Sequence, residues 1–331
     1  MSLNDKKTGI TFEGKFALGR KKNARTQVDC TFKCCPRQFY QCLIWVVFDE
    51  SVRAFAPCYW ILMTGKTAAC YDSAFHLLKT DLGGAFRPSV IGIDFERNFI
   101  KMCKKHWPRA VLIGCFFHFK QALRRNLKDK LKIPDNVVSY LMERGMLDLA
   151  AVLPADDVRS INSKGWLFIA RLIAAPSGDT DVDKWMSSKE GKIKIAEFFA
   201  YVDKFWTAAD ILPLWNWSAF LELEEDVRPR FRTNCWMENY NGRWGREFSV
   251  PHPRLQVFVE VLQKEHARIN ALLDHLRKEH ADPVVYGTPD WPKIPEEYDE
   301  FEVPSKKSLK RANLATHPDK VKGKKLKKSK K

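Results

Sequence analysis

Two long apolar runs constrain this chain more than any other feature. Phe39–Phe48 (FYQCLIWVVF) and Ala54–Thr64 (AFAPCYWILMT) are almost free of charge, rich in β-branched and aromatic residues, and separated by the turn signal Asp49-Glu50-Ser51. Neither approaches the roughly 18 apolar residues a membrane span requires. Runs of this length and composition read as strands covered on both faces. A shorter β-rich segment, Val28–Phe32 (VDCTF), precedes them and carries an acid. Three such strands joined by short turns form a meander.

The pattern then changes period. Tyr71, Ala74, Phe75 and Leu78 recur at helical spacing behind Thr67, a candidate cap, and Gly83-Gly84 ends the helix. Pro88 opens a fourth strand, Ser89–Phe95, closing on Asp94. Phe99, Ile100, Cys103 and Trp107 mark a second helix, stopped by Pro108. Ala110–Phe117 reads as a fifth strand, and Phe119, Leu123, Leu127 and Leu131 as a third helix with a basic outer face. The order β-β-β-α-β-α-β-α gives an α/β fold, a mixed sheet flanked by helices, as in a ribonuclease H-like core.

After Pro134 the spacing is helical almost to Pro229: Val137–Leu153, Val158–Ala174 and Ile193–Trp206. Tyr201, Phe205, Trp206, Trp215 and Trp217 cluster there, as core packing or, less simply, as a base-stacking surface. A helix from Thr233 carries Glu238, and His252-Pro253 opens a long helix with Leu255, Phe258, Leu262, Ile269, Leu273 and Leu276 on one face. The expected organisation is a first core part over 1–132, an all-helical insertion over 133–229, core completion over 230–281, and a Pro/acid-rich strap with a basic tail over 282–331.

The net charge is +16, and Lys306–Lys331 supplies most of it, with 12 Lys or Arg and one Asp. Such a tail repels itself; it reads as a nuclear localisation signal or a phosphate contact, against the bland reading of a solvated end. Nine scattered cysteines suit a reducing compartment, and MSLNDKKTGI has no apolar signal core. The expected location is the nucleus, and no membrane partner is expected.

Most acids lie on polar stretches, but Asp29 and Asp94 sit in or beside apolar strands, where an unpaired carboxylate is costly. If the first and fourth strands are neighbours, both acids open onto one end of the sheet and repel each other unless a cation intervenes. Mg²⁺ suits a site of few carboxylates and several waters. Strand-end capping explains two such acids as well, and spacing alone leaves both readings open.

The motifs go further. VDCTFKCCPRQFYQ, with Asp29, Thr31, Phe32, Lys33, Pro36, Tyr40 and Gln41, is similar to the first-acid motif of Mutator-like element (MULE) transposases. PSVIGIDFERNFIKMCKKHWPRAVLIGCFFHFKQAL resembles the family's second block: Asp94, the Trp107-Pro108 pair, then Cys115-x-x-His118. RTNCWMENYNGRW and HPRLQVFVEVLQKE resemble the third, with Glu238. The matches keep the family's order over about residues 25–270.

The resemblance implies a DDE transposase with a ribonuclease H-like fold and a helical insertion before the third acid. Asp29, Asp94 and Glu238 are then the catalytic residues and ligands of two Mg²⁺ (or Mn²⁺) ions, hydrolysing phosphodiesters and transferring strands at transposon ends. The implied partner is double-stranded DNA, both transposon ends and target, and the paired ends imply a homo-oligomer. Cys115 and His118 belong near the site in a structural or DNA-positioning role. Lys120, Arg124 and Arg125 on the following helix, and Arg243 and Arg246 one turn apart, are candidate phosphate contacts. Asn234 and Asn239 flank Glu238 as candidate caps.

The chain departs from the family at Cys30, where Gly is usual, and at Cys235, in place of the second Asn of Asn-Asn. The N-terminal zinc-finger module common in the family is not found before Asp29. These departures suggest the alternative: a transposase-derived nuclear protein that binds DNA or chromatin without cutting. Zinc held by Cys103, His106, Cys115 and His118 is a weaker reading, since Cys103 falls on an apolar helix face. Cys30, Cys34 and Cys35 read as packing.

Overall fold

The computed structural model describes residues 2–3, 10–13, 22–82, 84, 86–217, 235–278 and 292–304. They fall into two compact units: the described residues up to Ala122 with those of 235–278, and Leu123 to 217 with 292–304. Asn234, the expected helix start at Thr233 and the basic tail lie outside the described residues. Among the described residues, no helix is long and apolar enough to cross a membrane.

The first unit is α/β. Its sheet has seven strands: β1 (Ser2–Leu3), β2 (Ile10–Glu13), β3 (Lys22–Thr31), β4 (Gln41–Asp49), β5 (Ala54–Met63), β6 (Arg87–Ile93) and β7 (Val111–Gly114), in the spatial order β1-β2-β5-β4-β3-β6-β7. The short β1 and β2, not expected from the sequence, pair antiparallel with each other, and β2 with β5. The meander β3-β4-β5 is antiparallel, whereas β3-β6 and β6-β7 are parallel. A mixed sheet results, with β3 at the junction of its antiparallel and parallel parts. Every residue of β4 and β5 is buried, which explains their unbroken apolarity.

Three helices accompany the parallel strands: α1 (Ala68–Asp81) leads from β5 into β6, α2 (Arg97–His106) links β6 to β7, and α3 (Phe116–Arg125) follows β7. Thr67 caps α1 by accepting from the amide of Cys70. Gly84, at φ +70°, lies just beyond it. Trp45 on β4 holds the core together: Phe75, Phe86 and Trp107 stand around it with ring centroids 5.7, 5.2 and 5.1 Å away.

The fifth strand is shorter than expected. It stops at Gly114, and Phe116 and Phe117, assigned by sequence to the strand, open α3 instead. An apolar run crossing a strand–helix junction has no change of composition to mark the switch. The first strand is longer than expected, because its polar beginning is also central: Thr26 and Gln27 are fully buried, and Thr26 Oγ1 donates to the carbonyl of Val90.

The described residues of the second unit are helical, apart from the segment 292–304: a π-helical turn (Asn126–Lys130), α4 (Asp135–Leu141), a 3₁₀ turn (Leu147–Ala151), α5 (Ala155–Val158), α6 (Lys164–Ile173), α7 (Thr180–Ser187), α8 (Lys189–Phe205) and α9 (Leu212–Trp215). The expected helix Val137–Leu153 is broken at Gly145, whose φ of +83° ends helical geometry and whose amide donates to Asp148 Oδ1. The expected helix Val158–Ala174 divides at a Ser160–Asn162 turn, where the Asn162 amide donates to Ser160 Oγ. The unexpected α7 starts at Asp179, which accepts from the amides of Asp181 and Val182.

Within the aromatic cluster, Trp206 and Trp215 are core packing, whereas Phe205 is exposed and Tyr201 and Trp217 are half-buried. Trp206 and Trp215 are buried, with Trp206 Nε1 donating to Tyr201 Oη and Trp215 Nε1 to the Trp206 carbonyl. In the strap, Tyr298 is buried with its ring 5.1 Å from Phe168.

Two helices return to the first unit, α10 (Cys235–Gly245) and α11 (Leu255–Arg277). The buried face of α11 includes Phe258, Leu262, Ile269, Leu273 and Leu276, and also Glu265. That buried acid escapes a hydropathy reading because its partners, Arg243 and Arg268, are cations from α10 and from its own helix.

Candidate active site

Parallel pairing sets the two aspartates side by side. The register matches Gln27 on β3 with Gly92 on β6. Two residues further along each strand stand Asp29 and Asp94, at the edge where β3, β6 and β7 all end. The carboxyl ends of parallel strands are where open α/β sheets hold ligands. Gly92 lets the strands approach, since a Cβ there would lie 3.0 Å from Gln27 Cγ.

The third parallel strand leads into Cys115 and the first turn of α3, which carries His118. His118 Nδ1 lies 2.6 Å from Asp94 Oδ1, and its Nε2 lies 3.6 Å from Glu238 Oε1 on α10. The imidazole therefore stands between two acids that are 144 residues apart in the chain. Asp29, Asp94, Glu238, Cys115 and His118 are brought together.

The electrostatics follow from this crowding. Burial first, then the charge of Asp94, raises the Asp29 carboxyl to about 7, and Glu238 adds to the effect. The carboxyl of Glu238 is also raised, chiefly by burial. Burial alone would lower the pKa of His118, but the Asp94 carboxylate and the neighbouring Cys115 outweigh it and push the ring up to about 11. One imidazolium thus serves three carboxyl groups.

Two residues at the site escaped the sequence reading. Asn241 Nδ2 donates to Asp29 Oδ2 at 2.7 Å, while the backbone amide of Cys30 donates to Asp29 Oδ1 at 2.8 Å. Asn241 is one helical turn after Glu238, so the i, i+3 spacing was its available signal. Glu96, two residues past Asp94, accepts from Tyr71 Oη, which accepts from the buried Gln41. Burial, with a contribution from Asp94, raises its carboxyl as well.

The expected phosphate contacts fare differently. Arg243 pairs with the buried Glu265, its Nη1 at 3.1 Å. Arg246 is exposed. Lys120 is half-buried with its ammonium 5.9 Å from the Phe116 ring centroid, and Arg124 and Arg125, which belong to the second unit, are exposed. Asn239 is exposed. Cys103 is buried and His106 pairs with Asp72 at 2.7 Å, so neither turns toward Cys115 and His118 as a zinc set would.

The donors fit a hard divalent cation. They are carboxylate oxygens, and Asn241 Oδ1, bonded to the same carboxamide carbon as the nitrogen that holds Asp29, is buried with no hydrogen-bond partner among the described residues. As arranged, with the His118 ring between Asp94 and Glu238, no three His, Cys, Asp or Glu side chains among the described residues are disposed to hold an ion together.

Residues 25–122 match a family model, the MULE transposase domain. The match takes in Asp29, Asp94, Cys115 and His118 and stops before Glu238. Its end coincides with Ala122, the last residue of the first unit's first segment. No curated protein matches the chain. Over residues 25–122, which include the strands that carry Asp29 and lead into Asp94, the chain is similar to the MULE transposase domain.

Proposed function

We propose that the chain is a DDE-type DNA transposase, with a ribonuclease H-like core in which Asp29, Asp94 and Glu238 act on phosphodiesters at transposon ends. The single observation that carries this reading is the convergence of the three acids about His118 at the carboxyl edge of parallel strands. The order β5-β4-β3-β6-β7, antiparallel up to β3 and parallel beyond it, supports the core assignment.

Asp29, Asp94 and Glu238 are the residues that would hold two Mg²⁺ or Mn²⁺ ions. Such ions would supply Lewis-acid stabilisation of a phosphodiester displacement and a water of lowered pKa. Asn241 orients Asp29 through its 2.7 Å bond. His118 keeps Asp94 and Glu238 facing one point and offsets their charge while no other cation does. Cys115 neighbours His118 and favours its charged form. Arg246 and the exposed Arg124 and Arg125 are available to phosphates of double-stranded DNA.

Strand transfer needs two ends held together, so the working form is a homo-oligomer, and the basic tail directs the chain to the nucleus. Full-length protein incubated with labelled terminal-repeat duplex tests the reading. Mg²⁺-dependent nicking, lost in Asp94→Asn, is the expected result. Duplex binding without nicking overturns it in favour of a non-cutting DNA-binding protein.

A further inference from the structure

The loop that follows the first acid builds a second site. β3 ends at Thr31, and Phe32, Arg37, Phe39 and Tyr40, with Pro251 and His252 from the segment before α11, line an open groove of about 550 Å³. That volume falls in the range that receives ligand groups. Phe32 and Tyr40 are 47% and 46% exposed, unusual for large rings, and they face each other edge-on with centroids 5.9 Å apart.

The walls are tied together. The amide of His252 donates to the Lys33 carbonyl at 2.7 Å, and its ring Nδ1 lies 3.2 Å from the Cys35 carbonyl, while His252 itself holds a φ of +54°. A bulky residue kept in the left-handed region by two contacts marks a constrained loop pair. The charge on these walls has one sign. Thr31–Tyr40 contains Lys33 and Arg37 and no acid, and Phe248–Arg254 contains Arg254 and no acid. Lys33 and Arg37 are exposed and make no ion pair among the described residues.

Exposed rings flanked by exposed cations are the combination that receives a single-stranded nucleic acid: a base stacks on the ring and a phosphate meets the cation. Phe32 is three residues past Asp29, a reach of about 10 Å along a strand, hence within a few nucleotides of a phosphate at the acids. We propose that this groove stacks an unpaired base of the DNA strand next to the scissile phosphate, with Phe32 and Tyr40 as the platform and Lys33 and Arg37 on the backbone. The proposal rests on the reading of the chain as a DNA-cutting enzyme. It adds that the enzyme recognises a frayed end through ring contacts.

The test is a binding measurement on the full chain in EDTA, so that cutting plays no part. Fluorescence anisotropy compares a flush duplex with the same duplex bearing a two-nucleotide unpaired extension that contains 2-aminopurine. Wild type binds the extended duplex roughly 5- to 100-fold more tightly, and the 2-aminopurine signal falls as the base stacks on a ring. Phe32→Ala/Tyr40→Ala loses both the preference and the signal change while binding the flush duplex as wild type does. Phe32→Leu/Tyr40→Leu, which keeps apolar bulk, behaves as the alanine pair does. A preference that survives in these variants, or none in wild type, overturns the proposal, as does a groove that takes only peptides. A preference that depends on the rings, in a protein that never nicks with Mg²⁺, upholds the stacking site and defeats the catalytic reading.

Discussion

Asn241 on α10 donates a 2.7 Å hydrogen bond to Asp29 on β3, across 212 residues of sequence. This bond holds the helix bearing Glu238 to the strand bearing the first acid. Asn241→Ala is expected to leave the fold intact and to weaken apparent Mg²⁺ affinity and nicking by about 10- to 100-fold, the usual cost of removing a partner that orients a metal ligand. A Mg²⁺ titration of nicking checks it, and unchanged half-saturation would show that Asp29 needs no such support.

Charge crowding makes the metal-free protein sensitive to pH. A carboxyl raised to about 7 favours the protonated form in the folded state. Its contribution to stability is complete below its unfolded value near 3.8 and is lost as pH rises to about 7. His118, raised to about 11, acts in the same direction: its contribution is complete below about 6.5 and is lost above it. Thermal unfolding in EDTA should therefore show Tm falling between pH 5 and 8. Asp29→Asn should flatten the slope, and Mg²⁺ should raise Tm more at pH 8 than at pH 5.5. A Tm that climbs over this range in EDTA would contradict the crowding.

Arg243 and Arg246 separate structure from binding. Arg243 neutralises Glu265, whose side chain is 3% exposed, together with the half-exposed Arg268. Burial alone would raise the Glu265 carboxyl, but the bonds from Arg268 and Arg243 prevail and lower it, so its contribution to stability is present above about pH 4.5 and lost below. Arg243→Ala is expected to cost about 2 kcal/mol, since Arg268 still shields the acid. Arg246→Ala should change stability by less than about 0.5 kcal/mol and reduce the salt dependence of duplex binding. Urea unfolding and a salt series on duplex affinity measure both.

Close packing leaves no room at Gly165 in the helical unit. A Cβ there would stand 2.7 Å from the Asp157 carbonyl oxygen and 2.9 Å from Val158 Cγ1. Gly165→Ala is expected to destabilise by about 1–3 kcal/mol despite alanine's better helix propensity, as overpacking does. Gly178→Ala, at φ +82° with open space around it, should cost about 1 kcal/mol from backbone strain alone. Equal stability of wild type and Gly165→Ala would refute the tight contact.

The fold was legible where burial is two-sided. β4 and β5 announce themselves because both their faces are covered, so every position is apolar or tightly paired. The start of β3 was not legible, because Lys22–Gln27 reads as polar: Thr26 and Gln27 are buried by hydrogen bonding in the sheet rather than by apolarity. The end of β7 was missed because Phe116 continues an apolar run while the backbone turns helical. At the candidate site, acids beside apolar strands stood out by their cost. Their partners did not: Asn241 and Glu265 are ordinary helical polar residues until folding supplies Asp29 and Arg243. Arg243, one turn from Arg246, looked like its twin, and only tertiary packing distinguishes the two.

The most direct test counts ions. Full-length protein titrated with Mn²⁺ at pH 8, followed by electron paramagnetic resonance, should bind two ions per chain, with Asp29→Asn, Asp94→Asn and Glu238→Gln each losing at least one. Glu238→Gln that binds Mn²⁺ with wild-type stoichiometry and affinity would contradict the claim that the three acids form one cation site.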